Sequence, residues 1–466
     1  MSAPFQAKTV AIVGGGLAGM ASGCALADAG FQVTLYERRP YLGGRASSYE
    51  HPGTGEVVDN CQHLLLGCCT NLIRFYENLG VGGKILWFDD MTFIEPGGRS
   101  SRIAPSFLPA PLHNAPSFLR AKFLSLRDKL AIGRAFTSMM RALPNDSGKS
   151  FLDWLKHHGQ TPRAIDRFWK PILTSSLNED LERMSVPHSI QVFRKSFLKS
   201  AAAGRIGLPR VPLSELYSAA LDYLGKRGGR VLLRSAVTAI RPQPSTVTIA
   251  AGSEEQTFDF AILAAPFQTV ADLLPQDHLA APLKADLAHF APSPITGIHL
   301  WFDREITPLP HAVLLDRTIQ WMFQKSKFQE AGYREGPGSY IELVVSSSKT
   351  LVQKSREEIL DLAQRELAEF FPAVKEAKVV KAAVIKEIYA TYSILPGLDR
   401  YRPQAATPWP RLFLAGDWTA TEWPATMEGA VRSGYLAAEA ITAATGAAEK
   451  FLVPDLPATG LMKLFG

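Results

Sequence analysis

The residue types suited to chemistry sit in glycine turns, each with an acid or an arginine nearby. Thr9-Val10-Ala11-Ile12-Val13 runs into Gly14-Gly15-Gly16-Leu17-Ala18-Gly19, and Gln32-Val33-Thr34-Leu35-Tyr36 ends on Glu37-Arg38. An apolar strand, a glycine turn, a small-residue helix and a second strand ending in an acid form the layout a dinucleotide needs. Gly14 makes the tight turn, Gly16 lets backbone approach the pyrophosphate, and Gly19 lets helix pack close to strand. The helix N-terminus then faces the phosphates. Glu37, about twenty residues downstream, accepts hydrogen bonds from the adenosine ribose. NAD and FAD both use this unit, so these residues do not choose between them. A second turn, Gly43-Gly44-Arg45, and a late pair, Gly416-Asp417, add further candidates for an anionic ligand.

Three stretches must come together to position these residues. Residues 8–80 read as strand, helix, strand, loop and helix. Residues 212–266 read as a helix with Leu213, Leu216, Tyr217, Ala220, Leu221 and Leu224 on one face, then strands at 230–233, 236–240 and 259–264. Residues 411–417 read as a strand, followed by a helix from Met427 to about Thr442. The fold class expected is α/β: a discontinuous Rossmann-type nucleotide domain (1–84, 206–272 and 403–447) with an inserted α+β substrate domain (85–205 and 273–402). Residues 448–466 are left as a C-terminal tail. Strands at 297–302 and 340–345 and an amphipathic helix at 355–370 belong to the inserted part.

The chain has 466 residues, enough for two or three domains, with 46% apolar and 20% charged residues and a net charge of +6. No basic run interleaved with aromatics suggests nucleic acid. Cys24, Cys61, Cys68 and Cys69 do not form a disulfide framework for a chain of this size. Cys61-x-His63 with Cys68-Cys69 lacks a second pair at zinc spacing, so no metal is expected. The first strand begins within about eight residues, leaving no room for a signal peptide. No apolar stretch reaches the roughly eighteen to twenty residues of a membrane span. A cytoplasmic location, peripheral on the inner face of the membrane, is the expectation.

With Gly43-Gly44-Arg45 and Gly416-Asp417 in place, the chain resembles the flavin amine oxidase and phytoene desaturase superfamily. The resemblance implies FAD as cofactor. It implies Gly44 and Arg45 as a second contact to the pyrophosphate, Asp417 on the ribityl chain or adjacent phosphate, and Val237 bracketing the adenine through its backbone. It also places the helix beginning near Met427 with its N-terminus at the flavin pyrimidine. A narrower resemblance rests on Val57-Val58-Asp59-Asn60-Cys61-Gln62-His63-Leu64-Leu65-Leu66-Gly67, Gly207-Leu208-Pro209-Arg210-Val211-Pro212-Leu213, and Asp417-Trp418-Thr419-Ala420-Thr421 with Trp423 to Ala430. These strings are similar to the squalene-associated branch, the hydroxysqualene dehydroxylases of squalene and hopanoid biosynthesis. That branch tends to have glycine where this chain has Cys61, which puts a larger side chain near the flavin face.

The narrower resemblance implies reductive removal of an allylic hydroxyl from hydroxysqualene, a polyprenyl lipid. Such a reaction needs a reduced flavin reloaded by an unidentified electron donor, a general acid, and walls that tolerate an allylic cation. The stretch after Asp59 runs past the flavin in related oxidases, which makes His63 and Leu64 flavin contacts. His63 is the first candidate acid because its ordinary pKa lies near 6.5; otherwise it is a flavin contact, or holds its loop by backbone bonds. Gln62 would position the hydroxyl. Asp59 would orient His63 or cap the following helix. Tyr340 and Tyr392 are rival proton donors. Phe168-Trp169, Trp301-Phe302 and Trp321-Met322-Phe323 are candidate tunnel aromatics, with core packing as the other reading. Residues 103–135 interleave Phe107, Leu108, Leu112, Phe118, Leu119, Phe123, Leu124 and Leu126 with Arg120, Lys122, Arg127 and Lys129, a pattern for a membrane surface, with ordinary helix packing as the other reading. The C-terminal Gly460 to Phe465 would add a second contact. Alternatives are an oxidative carotenoid-type desaturase or amine oxidase-like flavoenzyme, and a non-enzymatic prenyl-lipid carrier.

Overall fold

The computed structural model describes residues 8–140, 146, 148–330 and 338–465. The predicted segments' extremes at 1–7 and 466, and 141–145, 147 and 331–337 within them, lie outside the described residues. Among these residues, five parallel strands form one sheet in the order Arg230–Leu232, Gln32–Tyr36, Thr9–Val13, Phe260–Leu263, Leu412–Leu414. The three stretches separated in sequence thus meet in one sheet. The central strands Thr9–Val13 and Phe260–Leu263 are short apolar runs because both faces are covered. Val10, Ile12, Val33, Leu35, Phe260 and Ile262 pack on helices Leu17–Asp28, Leu213–Gly225 and Met427–Ala444. Ala11, Val13, Tyr36, Ala261, Leu263 and Leu414 face the other way, toward Ile240, Val247, Ile249 and Phe258 of an antiparallel three-stranded sheet, Val237–Pro242, Val247–Ala251 and Glu254–Phe258. The alternation is the two-residue period of a strand.

Helix Leu17–Asp28 is buried nearly all round, which explains its Ala, Gly, Ser and Cys24 content. Burial pushes the Cys24 thiol up, so it stays protonated as a small apolar filler. Helix Met427–Ala444 crosses it closely: a Cβ added at Gly434 would stand 2.3 Å from the Ala18 carbonyl oxygen.

The inserted part is built on a seven-stranded sheet in the order Val379–Tyr392, Pro292–Phe302, Ser339–Ser346, Trp321–Gln324, His311–Leu314, Met91–Ile94, Ser100–Ile103. Helix Arg356–Phe370, started by a Ser355 capping box, covers one face through Ile359, Ala363 and Leu367 against Ile298, Leu300, Ile341 and Leu343. Helices Leu126–Met139, Lys170–Leu177 and Val186–Lys195 build a large core beside the other. The fourteen-residue strand Val379–Tyr392 escapes a sequence reading because Lys381, Lys386 and Glu387 fall irregularly among its apolar residues along a half-exposed edge. The expected domain borders at 84/85 and 205/206 fall inside a small sheet in which Ile85–Phe88 pairs with Ile206–Pro209, which also pairs with Leu65–Leu66.

Residues 103–135 are not one amphipathic helix. They form a turn at Leu112–Asn114, then helix Ala115–Arg120 and the start of helix Leu126–Met139. Phe123 and Leu124 are buried in the core, contrary to the expected surface. Phe107, Leu112, Leu119, Leu126 and Leu130 are exposed. The turn Gly460–Leu464 docks beside them, with Leu461 N–H donating to the Ala110 carbonyl at 2.7 Å, and adds exposed Leu461, Leu464 and Phe465. Among the described residues, no helix is long and apolar enough to cross a membrane.

The Gly434 crossing yields a stability prediction. Gly434→Ala forces the two helices apart and lowers stability by about 1–3 kcal/mol, the usual scale of overpacking. Thermal or urea unfolding measures it; an unchanged midpoint would show that the crossing does not need the glycine.

Candidate active site

The end of strand Thr9–Val13 and the loop after Gln32–Tyr36 bring two glycine turns into contact. Gly14, at φ 115°, donates its N–H to the Tyr36 carbonyl at 2.8 Å. Gly43 N–H donates to the Gly15 carbonyl at 2.9 Å, and Gly16 and Gly43 form an isolated parallel bridge. A Cβ on Gly44 would stand 3.1 Å from Gly16 Cα, whereas one on Gly16 would meet only Gly44 Cα at 3.9 Å. The result is a floor of bare backbone that a side chain would fill. Helix Leu17–Asp28 starts there with no side-chain cap, so its first N–H groups remain available to an anion. Gly19, grouped in sequence with the cofactor-binding glycines, is not among the residues lining the cleft; a Cβ there would lie 1.9 Å from the Gly14 carbonyl oxygen, the close helix-strand packing expected of it.

Gly14, Gly16, Leu17, Ala18, Glu37, Arg38, Gly43, Gly44, Arg45, Val237, Gly416, Asp417 and Met427 line one cavity of about 540 Å³. Glu37 is fixed by two backbone donors, Gly15 N–H at 2.7 Å and Arg39 N–H at 2.8 Å. Each carboxylate oxygen keeps a lone pair for a ribose hydroxyl. Val237 opens the antiparallel sheet at the same end. Arg45 and Asp417 are bound to each other, Nη2 to Oδ1 at 2.5 Å, and Arg45 also reaches the Ala390 carbonyl at 3.3 Å. Sequence reasoning gave them separate contacts; the fold makes them a pair joining turns 372 positions apart. Helix Met427–Ala444 begins at the cavity with its Thr426 cap accepting from Gly429 N–H. The glycine floor, ribose acid, uncapped helix start and second helix N-terminus along one cavity fit FAD in an extended form.

The stretch after strand Val57–Asp59 passes the same cavity. Gly297 permits this approach, since its Cβ would lie 3.3 Å from the Asn60 carbonyl oxygen. Cys61, Gln62, His63 and Leu64 line the cavity. Burial raises the Cys61 thiol, so it is a neutral wall. His63 Nδ1 lies 2.8 Å from the Cys61 carbonyl. A carbonyl only accepts, so Nδ1 carries the hydrogen and Nε2 of the neutral ring is an acceptor. Burial holds the His63 pKa below its ordinary value, favouring this neutral form. His63 therefore suits a base better than the acid expected of it.

Asp59 corrects its expectation. It does not line the cavity and does not bond His63. It accepts from the Ser48 hydroxyl at 2.5 Å, from Leu213 N–H at 3.2 Å and from Lys325 Nζ at 2.5 Å. The helix whose start it caps is the distant Leu213–Gly225, not the one that follows. Gln62 Oε1 accepts from Lys325 Nζ at 2.8 Å and its Nε2 donates to the His63 carbonyl at 3.1 Å, so its amide holds the loop. Tyr340 and Tyr392 do not line the cavity either. Tyr340 bonds His299, and Tyr392 is packed beneath Arg402 and Phe290. Of the aromatic stretches, only Trp321 and Phe323 reach the cavity, stacked at 5.5 Å; Phe168 and Trp169 sit in the helical core. With Leu273, Ile295 and Val344 they give the cavity an apolar wall, alongside the polar Ser175, Ser176, Asn178 and Ser346. Lys325, Glu342 and His299 went unrecognised, coming from three separate elements. A lone glutamate within the apolar run 340–345 was the available signal for a buried partner.

The pattern of the family described as flavin containing amine oxidoreductase matches residues 17–442. The chain is 27% identical over 454 residues to a 15-cis-phytoene desaturase of Synechococcus elongatus, covering 93% of this chain and 96% of that one. It is 28% identical over 475 residues to a zeta-carotene desaturase of Synechocystis, covering 93% and 97%. Among solved structures, a putrescine oxidase with putrescine bound superposes with a TM-score of 0.71 at 18% identity, over 94% of this chain and 99% of that one. Cyclohexylamine oxidase of Brevibacterium oxydans gives 0.68 at 16%, over 95% and 100%. Fold, cavity and family pattern agree, and the chain belongs to the flavin containing amine oxidoreductases, FAD-dependent oxidoreductases.

Proposed function

We propose that the protein exchanges hydride at an allylic carbon of a linear polyisoprenoid, with carotenoid-type desaturation as its reaction. The observation that carries this reading is the apolar wall that Leu273, Ile295, Trp321, Phe323 and Val344 give the FAD cavity. An extended hydrocarbon fits such walls, and the curated relatives named above are desaturases of such chains. FAD supplies the two-electron acceptor. Desaturation also removes a proton, and we assign its removal to the Nε2 lone pair of His63, a residue that lines the cavity. Glu37 and the Arg45–Asp417 pair serve to anchor the cofactor, and Trp321 and Phe323 stabilise positive charge developing on the chain.

A second reading, reductive dehydroxylation of hydroxysqualene, is favoured by the string at 57–71 and its companions at 207–213 and 417–430. The substrate walls are shared and only the direction of electrons differs. Tyr389, which lines the cavity, then joins protonated His63 as a proton donor. This direction requires a separate electron donor for the flavin.

The exposed leucines at 112, 119, 126 and 130, with Phe107 and the docked C-terminal turn, have exposed Arg120, Lys122, Arg127, Arg134 and Lys463 among them. We assign this face to an anionic bilayer, from which a polyisoprenoid would be drawn.

Anaerobic stopped flow decides the electron direction. Oxidised enzyme bleached by a carotenoid precursor supports desaturation; pre-reduced enzyme reoxidised by hydroxysqualene with release of squalene establishes the second reading. Neither change would overturn the polyisoprenoid assignment. His63→Ala should keep FAD and slow the flavin step about 10²–10⁴-fold, the range for acid-base groups. With His63 as base, wild-type rate should fall only as pH drops below its depressed pKa, under the ordinary 6.5. A rate within about threefold of wild type would remove His63 from proton transfer.

Glu37→Ala and Arg45→Ala should each weaken FAD binding by about 1.5–3 kcal/mol, the scale of hydrogen bonds to charged groups. Titration of apoprotein with FAD measures this, and unchanged affinity in both would refute the anchoring roles. Leu126→Ser/Leu130→Ser should lower partitioning onto phosphatidylglycerol vesicles by at least about tenfold, since each buried leucine contributes ~1.5–3 kcal/mol. Equal partitioning would place the membrane face elsewhere.

A further inference from the structure

Behind the wall that carries His63, a cluster of charged side chains is sealed from solvent. Lys325, at the start of the short helix Lys325–Phe328, is 1% exposed. Its Nζ lies 2.5 Å from Asp59 Oδ2, 2.8 Å from Gln62 Oε1 and 3.1 Å from Glu342 Oε2. Glu342 is fully buried in strand Ser339–Ser346, opposite His299 of the neighbouring strand. His299 Nδ1 lies 2.9 Å from the Tyr340 hydroxyl, and burial pushes its pKa down to about 3, so it is neutral. One cation therefore faces two carboxyl groups.

Packing alone does not call for such a cluster. Apolar residues of the same volume would fill the space without desolvating charges. What the cluster grips is residues 59–63. Asp59 and Gln62 are the two points that Lys325 holds, and Cys61, Gln62 and His63 between and beyond them face the cavity. Gly297 presses on the same stretch from the side, 3.3 Å from a Cβ position to the Asn60 carbonyl oxygen.

We propose that Lys325 is a positioning residue for the redox site, clamping residues 59–63 through Asp59 and Gln62, with Glu342 as the member of the clamp that gains and loses a proton. The two carboxyls are unequal. Despite its burial, Asp59 stays below the ordinary carboxylate range because Lys325, the Ser48 hydroxyl and Leu213 N–H all bind its charged form. Burial raises Glu342 to about 7, with Lys325 opposing and Asp59 adding to the rise. The other groups facing Glu342 are neutral: His299, Tyr340 and the Cys61 thiol. Below pH about 7 the clamp is neutral overall, and above it carries one negative charge behind the cavity. Because the folded state holds this proton more tightly than the unfolded chain, Glu342 also lowers stability as pH rises from its ordinary 4.5 through about 7.

The inference rests on FAD binding, not on the substrate or electron direction proposed above. The test uses the full chain loaded with FAD, followed by visible absorption and FAD affinity from about pH 5.5 to 8.5, a range spanning the Glu342 transition. Wild type should show a one-proton transition in the flavin spectrum near pH 7, and Glu342→Gln should abolish it. Lys325→Met should weaken FAD binding at least about tenfold and alter the spectrum, with Lys325→Arg recovering part of both. Should Lys325→Met not fold, the neutral triple variant Asp59→Asn/Lys325→Met/Glu342→Gln leaves no buried charge unpaired and takes its place. The transition surviving in Glu342→Gln would overturn the proposal. So would wild-type flavin spectrum and affinity in Lys325→Met or in the triple variant.

Discussion

The approach of backbone to backbone at Gly14, Gly16, Gly43 and Gly44 is the constraint on which the rest of the architecture depends. Two turns from different loops touch with no side chain between them. The contact is possible only because the first strand stops at Val13 and the small-faced helix Leu17–Asp28 leaves directly behind it. That helix is in turn held at close range by Gly434 of the last helix. The chain's beginning, middle and end are thereby committed to one sheet. The elements between them are left to build walls around the groove.

The walls are of two chemical kinds. Along the sheet edge they are polar and anchoring, with Glu37 immobilised by backbone donors and Arg45 neutralised by Asp417. Elsewhere they are more apolar, supplied by strands of the seven-stranded sheet and by Leu273 at the end of helix Phe267–Leu273. The stretch 59–64 is the seam between the two. It is held from behind by ionic groups and from the side by the glycine of a neighbouring strand. This arrangement separates the group that faces the cavity, His63, from the charges that place it. His63 can then remain neutral despite the charges of Asp59, Lys325 and Arg45, because desolvation dominates its protonation.

The exposed leucines and basic residues between 107 and 134 lie on the inserted part, and the last turn of the chain docks onto the same region. The tail reaches it by running past helix Met427–Ala444, where Asn71 and Glu439 bind its backbone at residues 451–453. A short C-terminal segment thus links the nucleotide-binding helices with the exposed apolar face.

The local signals that survive in sequence are those set by backbone geometry. The glycine turn before Leu17, the acid at 37, the Gly43-Gly44-Arg45 turn and the Gly416-Asp417 pair were legible because each demands particular residues at short spacing. The parallel strands were legible because burial on both faces makes them continuous apolar runs. The residues that hold the site from behind were not legible. Asp59, Lys325, Glu342 and His299 are single polar residues on separate elements, and nothing in their neighbours' pattern says which partner each will meet. The same holds for the edge strand Val379–Tyr392, whose half-exposed face gives no clean alternation. Which nitrogen of His63 bears the hydrogen, and that Asp59 caps a helix more than 150 positions away, depended on contacts that exist only after the sheets assemble. Spacing along the chain determines where a cofactor can lie; long-range packing decides which side chains face it and in what protonation state.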